Sequence, residues 1–140
     1  MSCTFKIFGK LLDVDKLSNN IAIKPYKISK IGEDMYENTS IKRKHRISTL
    51  CFHTSKADFN NFEKQTSDTI KFLIKNKSDI RKLTFNKFTE YAIINFGINS
   101  TSNDKPIQNL FLPHELLKLS SDLKISLQLS LYSANFFDRD

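Results

Sequence analysis

The chain has 140 residues, of which 39% are hydrophobic and 26% are charged, and it contains only three Gly and three Pro. This composition is typical of a globular domain and excludes a collagen-like, low-complexity or linker-rich chain. The length suits a single domain over residues 1–140, built around one hydrophobic core. The formal net charge is +7, and most of it falls in one segment, which can attract nucleic acid, an anionic ligand or an acidic protein face.

Neither end of the chain carries a targeting signal that we recognise. Residues 2–8 alternate between polar and apolar side chains and lack the unbroken apolar core of a signal peptide. No stretch approaches the roughly 18 consecutive apolar residues of a membrane-spanning helix. Residues 136–140 do not form a lipidation motif. We therefore expect a cytoplasmic protein that does not associate with membranes.

The first half of the chain predicts strands separated by one short helix. Residues 4–9 form the first strand, and Asp13 is the expected N-cap of a helix that ends before Pro25. Residues 26–44 are weakly patterned, with a possible short strand over 26–30. Alternating side chains then predict the second main strand over residues 46–53.

The longest predicted helix covers residues 56–75. Ser55 and Asp58 resemble a capping box that would open it. Apolar side chains recur every three or four residues and predict one buried stripe, formed by Phe59, Phe62, Thr66, Ile70 and Leu73. This stripe indicates that the helix packs against the sheet.

The last third of the chain predicts two short helices and two strands. Ser78 would cap the first helix, and Pro113 would be the first residue of the second. Residues 88–98 are rich in Tyr, Ile and Phe and predict the third main strand. Alternating Leu and polar residues over 124–132 predict a final strand with one dry face and one wet face.

This order of elements defines the expected fold. Strands and helices alternate, and they suffice for two layers around one core. The fold class is therefore α+β, with a two-layer architecture and a mostly antiparallel four-stranded sheet that has helices packed on one face.

Short motifs along the chain resemble a known bacterial family. They are a strand ending in Phe-Gly, an acidic turn, an Ile-x-Pro step, a Gly-acidic turn and a Leu-Pro helix entry, at residues 5–9, 12–15, 23–25, 32–34 and 112–117. In this order they resemble the bacterial domain-of-unknown-function 4279 family. The resemblance spans nearly the whole chain and implies a shared fold, but it carries no catalytic residue to this sequence.

Few residues suggest catalysis. Asp13 and Asp15 lie where a helix start needs caps, and Cys3 and Cys51 occupy apolar strand contexts typical of buried free thiols. Cys51 and His53 are two apart on a strand, which permits the thiol–imidazole contact that activates a nucleophilic Cys. Such a pair is more often coincidental. Without metal-ligand spacings or a glycine-rich phosphate loop, we expect no enzyme activity, no metal and no cofactor.

The strongest functional signal is a local cluster of positive charge. All charged residues between the acidic residues 37 and 58 are basic, namely Lys42, Arg43, Lys44, Arg46 and Lys56. The run at 42–46 could simply solvate a loop beside an edge strand and protect it from aggregation. It could also bind nucleic-acid phosphates, although the aromatic residues mostly fall at core positions.

A third interpretation is a protein partner. Small bacterial α+β proteins without catalytic residues are often immunity proteins that neutralise a cognate toxin by stoichiometric binding. The predicted partner-binding residues are Lys42, Arg43, Lys44 and Arg46, which would steer an acidic partner, together with the apolar anchors Phe136 and Phe137. Nucleic-acid binding through residues 42–46 is the alternative.

Overall fold

The computed structural model describes residues 2–35, 43–100 and 107–133. In chain order, these residues form β1 (Cys3–Gly9), α1 (Val14–Asn19), β2 (Lys27–Ser29), β3 (Ser48–Ser55), α2 (Phe62–Lys75), α3 (Lys77–Thr84), β4 (Tyr91–Asn99), α4 (His114–Asp122) and β5 (Ser126–Tyr132). Within this part of the chain, no helix is long and apolar enough to cross a membrane.

One sheet contains all the named strands, in the order β2-β3-β1-β4-β5. The pairs β1–β3, β1–β4 and β2–β3 are antiparallel, whereas β5 runs parallel to β4 and is reached through α4. The predicted α+β class is confirmed. The predicted number of strands is corrected from four to five, because the short segment within 26–30 pairs with β3 as an edge strand.

The helices pack on one face of this sheet. Phe5, Phe52 and Phe96 point to that face from three neighbouring strands and are almost completely buried, with the rings of Phe5 and Phe52 5.7 Å apart. Each helix adds residues to the same apolar cluster, including Leu17, Leu73, Ile80, Leu83 and Leu116. The other face of the sheet carries the alternate residues of each strand.

The start of α2 differs from the predicted one. The helix begins at Phe62 behind the N-cap Asn61, whose side chain accepts a hydrogen bond from the Lys64 N–H at 3.1 Å. Ser55 instead ends β3, and its hydroxyl donates to Asp68 and accepts from the N–H of Ala57. The predicted capping box at residues 55–58 was therefore wrong, because these side chains stabilise the connection into the helix.

The starts of the other three helices agree with the sequence to different degrees. Asp13 caps α1 as predicted, accepting from the Lys16 N–H at 3.1 Å. The N-cap of α3 is Asn76, so the predicted cap at Ser78 was wrong. Pro113 was predicted as the first residue of the last helix, but it is the extended N-cap one position before α4, which begins at His114.

The buried face of α2 is more polar than the predicted stripe. Thr66 and Leu73 are buried as expected, but Gln65 and Thr69 are completely buried as well. Phe62 and Ile70 are only partly buried. Phe59, also assigned to the stripe, lies before the helix and is partly buried. The apolar spacing correctly predicted a helix in this segment. It placed the centre of the buried face at Phe62 and Ile70, whereas the most deeply buried polar side chains are Gln65 and Thr69.

These buried polar groups have specific partners. The Thr69 hydroxyl lies 2.9 Å from the Thr54 hydroxyl and 3.3 Å from the Cys3 sulfur, and Thr54 donates to Cys3 at 2.8 Å. The Gln65 side-chain N–H groups donate to the carbonyl oxygens of Asp58 and Gly97, both at 2.9 Å. The two sets of bonds tie α2 to β1, β3 and β4.

The last strand is less buried than its alternation predicts. Leu127 packs against the core, but Leu129 and Leu131 are 38% and 59% exposed. The predicted dry face of residues 124–132 was therefore only partly correct. The reason is that β5 is the last strand of the sheet, with a neighbour on one side in the described structure.

A candidate binding site beside strand β3

The basic segment enters β3 through a short antiparallel pairing. The Met35 N–H donates to the Arg43 carbonyl at 2.8 Å, and the His45 N–H donates to the Glu33 carbonyl at 2.8 Å. Gly32 adopts a positive φ of 87°, which favours glycine, and its N–H donates to the His45 carbonyl at 2.9 Å. This pairing fixes the backbone from which the basic side chains project.

A cavity of about 770 Å³ lies beside this segment. Its described lining combines basic and apolar side chains from both sides of the pairing: Met35, Arg43, Lys44, His45, Arg46 and Ile47. No carboxylate belongs to this lining. The cavity therefore has a positively charged rim and an apolar component.

The basic side chains at the cavity are available to a ligand. Arg43, Lys44 and Arg46 are exposed. In the described part of the chain, salt bridges join Lys30 to Asp15 and Lys64 to Asp68, and none involves the basic residues of the cavity. Among the described residues, these cations therefore have no carboxylate that an incoming anionic group would need to displace.

The structure places part of the predicted partner-binding set at this cavity. Arg43, Lys44 and Arg46 all line it. Lys42, Phe136 and Phe137 lie outside the described residues. Sequence reasoning missed the contribution of Met35, because no local pattern shows that residues 33–35 pair with 43–45.

The Cys51–His53 pair does not form an activated nucleophile. Burial raises the pKa of the Cys51 thiol, which favours the unreactive protonated form. The imidazole of His53 instead stacks on the ring of Tyr26, with centroids 3.8 Å apart and planes 9° apart. Burial lowers the pKa of His53, which favours the neutral form of the ring. The arrangement is that of a packed sheet surface.

The remaining candidate catalytic groups are engaged in structure. Asp13 caps α1, and Asp15 lies 2.6 Å from the Lys30 ammonium in an exposed ion pair. Cys3 is a buried free thiol whose pKa is raised by burial, and it belongs to the hydroxyl network with Thr54 and Thr69. Among the described residues, no cluster of His, Cys, Asp or Glu could hold a metal ion.

Fold and site together define a small α+β domain with a basic, partly apolar cavity at the β2–β3 side of its sheet. The chain belongs to the family described as "Domain of unknown function (DUF4279)", whose match covers residues 1–134. No curated protein and no solved structure matches the chain. The family resemblance inferred from the short motifs is therefore confirmed.

Proposed function

We propose that this protein is a non-catalytic cytoplasmic binding module of the immunity-protein class, which neutralises a cognate bacterial toxin by stoichiometric binding. The observation that carries the proposal is the cavity beside β3, where Arg43, Lys44 and Arg46 lie exposed next to apolar walls and form no salt bridge with a described residue. A concave, charged and accessible surface is suited to recognising another macromolecule.

The composition of the cavity favours a protein partner over nucleic acid. Met35, which is 43% exposed, and Ile47 provide apolar surface that an inserted aliphatic or aromatic side chain can cover. The described lining contains no Phe, Tyr or Trp, whereas single-stranded nucleic acids are held largely by stacking on such rings. Protein interfaces typically place a polar rim around a more apolar centre.

The charge of the cavity defines the face of the toxin that it would bind. Because the chain has a net charge of +7, the basic surface of a nuclease would be repelled. We therefore expect an acidic contact face. The exposed cations would mainly accelerate association, while apolar contacts would hold the complex together.

Association kinetics with the purified partner test this proposal. The partner is obtained by native pull-down and mass spectrometry, and its binding is then measured at several salt concentrations. Changing Arg43, Lys44 and Arg46 together to Ala should slow association by about tenfold or more and change dissociation much less. A variant with Lys75, Lys77 and Lys118 changed to Ala loses the same charge from exposed positions on α2, α3 and α4. It should bind almost like wild type.

Two outcomes would contradict the proposal. Equal slowing by both triple variants would mean that net charge alone, and not the cavity, attracts the partner. Recovery of RNA or DNA without a protein, released by moderate salt, would favour the alternative of nucleic-acid binding through residues 42–46.

A further inference from the structure

In the described part of the chain, the outer edge of β5 presents backbone groups that have no strand partner. The Ser100 N–H donates to the Tyr132 carbonyl at 2.8 Å, so the backbone groups of Tyr132 point towards the β4 side. Because the parallel register with β4 is regular, the backbone N–H and C=O groups of Gln128 and Ser130 also point towards β4. Because backbone direction alternates along a strand, the N–H and C=O groups of the intervening residues point outward.

These outward-pointing residues are Leu127, Leu129 and Leu131. In the described part of the chain, β5 pairs with β4 alone, so the outward groups have no strand partner. The opposite pairing direction in β4 supports this assignment, because the Gly97 N–H points to β1 and bonds to the Ser2 carbonyl. Three consecutive outward positions thus form an open hydrogen-bonding edge.

This edge lacks the features that normally prevent strand pairing. Native proteins protect exposed edges with charged residues, Pro or bulges, or with very short strands. β5 has seven residues, Ser-Leu-Gln-Leu-Ser-Leu-Tyr, with no charge and no Pro, and its register with β4 is unbroken. Leu129 and Leu131 also leave apolar surface exposed beside the free backbone groups. The edge is therefore suited to binding another strand.

We propose that two copies of this chain pair antiparallel through β5 and join their sheets into one continuous sheet. With the two-fold axis at Leu129, that residue faces its own copy, and Leu127 faces Leu131 of the second copy. Each facing pair exchanges both hydrogen bonds, since all three residues point outward. The leucines of both copies then lie on one face of the joined sheet.

The sequence of the strand is why the proposed partner is a second copy. Residues 127–131 read Leu-Gln-Leu-Ser-Leu, so reversal of the strand places leucine against leucine and polar residue against polar residue. Such self-complementarity is what a two-fold symmetric interface requires. A charged residue at position 129 would meet the same charge of the second copy at the axis, and β5 has no charged residue. The edge thus fits its own copy without electrostatic cost.

This dimer is independent of the proposed binding function. In the sheet order β2-β3-β1-β4-β5, the basic cavity lies at the β2–β3 side and the proposed interface at the opposite edge. Failure of partner binding would leave the dimer unaffected, and a monomeric protein could still bind a toxin.

Sedimentation combined with residue-resolved amide exchange by NMR tests the dimer. The protein should sediment as a concentration-dependent dimer in the micromolar to millimolar range, as expected for a small interface. The amides of Leu127, Leu129 and Leu131 should become protected as concentration rises, while those of Gln128 and Ser130 are protected throughout. A monomer at all concentrations would refute the proposal. Protection of the leucine amides that does not change with concentration would also refute it, because it would show an intrachain partner.

Two lysine substitutions on the same strand provide a matched comparison. Leu131→Lys changes a side chain that is already 59% exposed, so the fold should tolerate it, but it would place an ammonium group against Leu127 of the second copy. We expect dimerisation to weaken by about tenfold or more. Gln128→Lys adds the same charge to the opposite, solvent-facing side of β5 and should leave the dimer largely intact. A dimer that resists Leu131→Lys, or that both substitutions weaken equally, would overturn the proposed register.

Discussion

The buried side chain of Gln65 offers the sharpest test of the packing of α2. It is 0% exposed, and its Nε2 donates to the carbonyl oxygens of Asp58 and Gly97. Two acceptors in these positions require a donor between them, so the amide orientation is set by chemistry. Gln65→Glu keeps the size of the side chain but replaces the donor with a carboxylate oxygen. The ionised variant would bury a negative charge facing two carbonyl oxygens.

The magnitude follows from three contributions. The Asp58 carbonyl oxygen also accepts from the Asn61 N–H at 3.3 Å, so it would keep one hydrogen bond in the variant. The Gly97 carbonyl oxygen would lose the Gln65 donor, and an unsatisfied buried acceptor costs about 1 to 3 kcal/mol. Burial of an unpaired charge is a further large penalty. The native Gln65 Oε1 is itself buried without a partner in the described structure, so its replacement costs little. We expect a total loss of at least about 3 kcal/mol at neutral pH.

The sign of the pH dependence separates the charge from the lost hydrogen bonds. Burial would raise the carboxyl pKa in the folded variant above its unfolded value of about 4.3. The penalty therefore grows as pH rises above that value, by about 1.4 kcal/mol per pH unit until the folded pKa is reached. At pH values below the folded-state pKa, the carboxyl group is protonated and can donate one hydrogen bond, so the variant should recover part of its stability.

Urea denaturation at several pH values measures this effect. The free energy of unfolding of Gln65→Glu is compared with wild type and with Gln128→Glu, which introduces the same group at an exposed position of β5. The control should stay within about 0.5 kcal/mol of wild type. A loss below about 1 kcal/mol that does not change with pH would show that Gln65 is not buried between these carbonyl groups.

Three further predictions follow from glycine packing, thiol burial and imidazole burial. Gly9→Ala should lower the free energy of unfolding by about 2 to 3 kcal/mol in a urea titration, because its Cβ would collide with a backbone carbonyl oxygen. Gly32→Ala has open space but a positive φ, and should cost about 1 kcal/mol; a larger loss than at Gly9 would contradict the packing. Because burial raises the pKa of Cys3 and Cys51, a thiol reagent should modify them slowly until the protein is unfolded; rapid labelling of the folded protein would contradict their burial. Burial lowers the pKa of His53, so its contribution to the free energy of unfolding should be lost as pH falls below its unfolded-state pKa of about 6.5. His53→Phe should abolish that part of the pH dependence. An unchanged pH profile would show that His53 is not its source.

Local patterns predicted the fold class and most elements. Cys3, Phe5 and Ile7 alternate with more polar residues and are buried, and Asp13 caps its helix. The parallel partnership of β4 and β5 was not predicted, because strand direction depends on the path of the crossover through α4. Position at the edge of the sheet explains why Leu131 remains exposed although its alternation suggests burial.

The candidate site was only partly predictable. Its positive charge is visible in the sequence, because Arg43, Lys44 and Arg46 stand close together. Its concave shape depends on the pairing of residues 33–35 with 43–45, and neither segment has the alternation typical of a strand. The capping box at Ser55 failed for a related reason, since a Ser at the end of a strand and a Ser before a helix look alike locally.

The hydroxyl and thiol contacts among Cys3, Thr54 and Thr69 depend on the register in which β3 pairs with β1. A one-residue slip of β3 against β1 would move Thr54 to the other face of the sheet. Cys3 and Thr69 would keep their mutual contact of 3.3 Å but lose Thr54, at about 1 kcal/mol for each of the two lost hydrogen bonds. That is a large share of the roughly 5 to 15 kcal/mol that stabilises a typical domain. The same slip would move Leu50 and Phe52 away from the core, so the polar and apolar residues of β3 favour the same register.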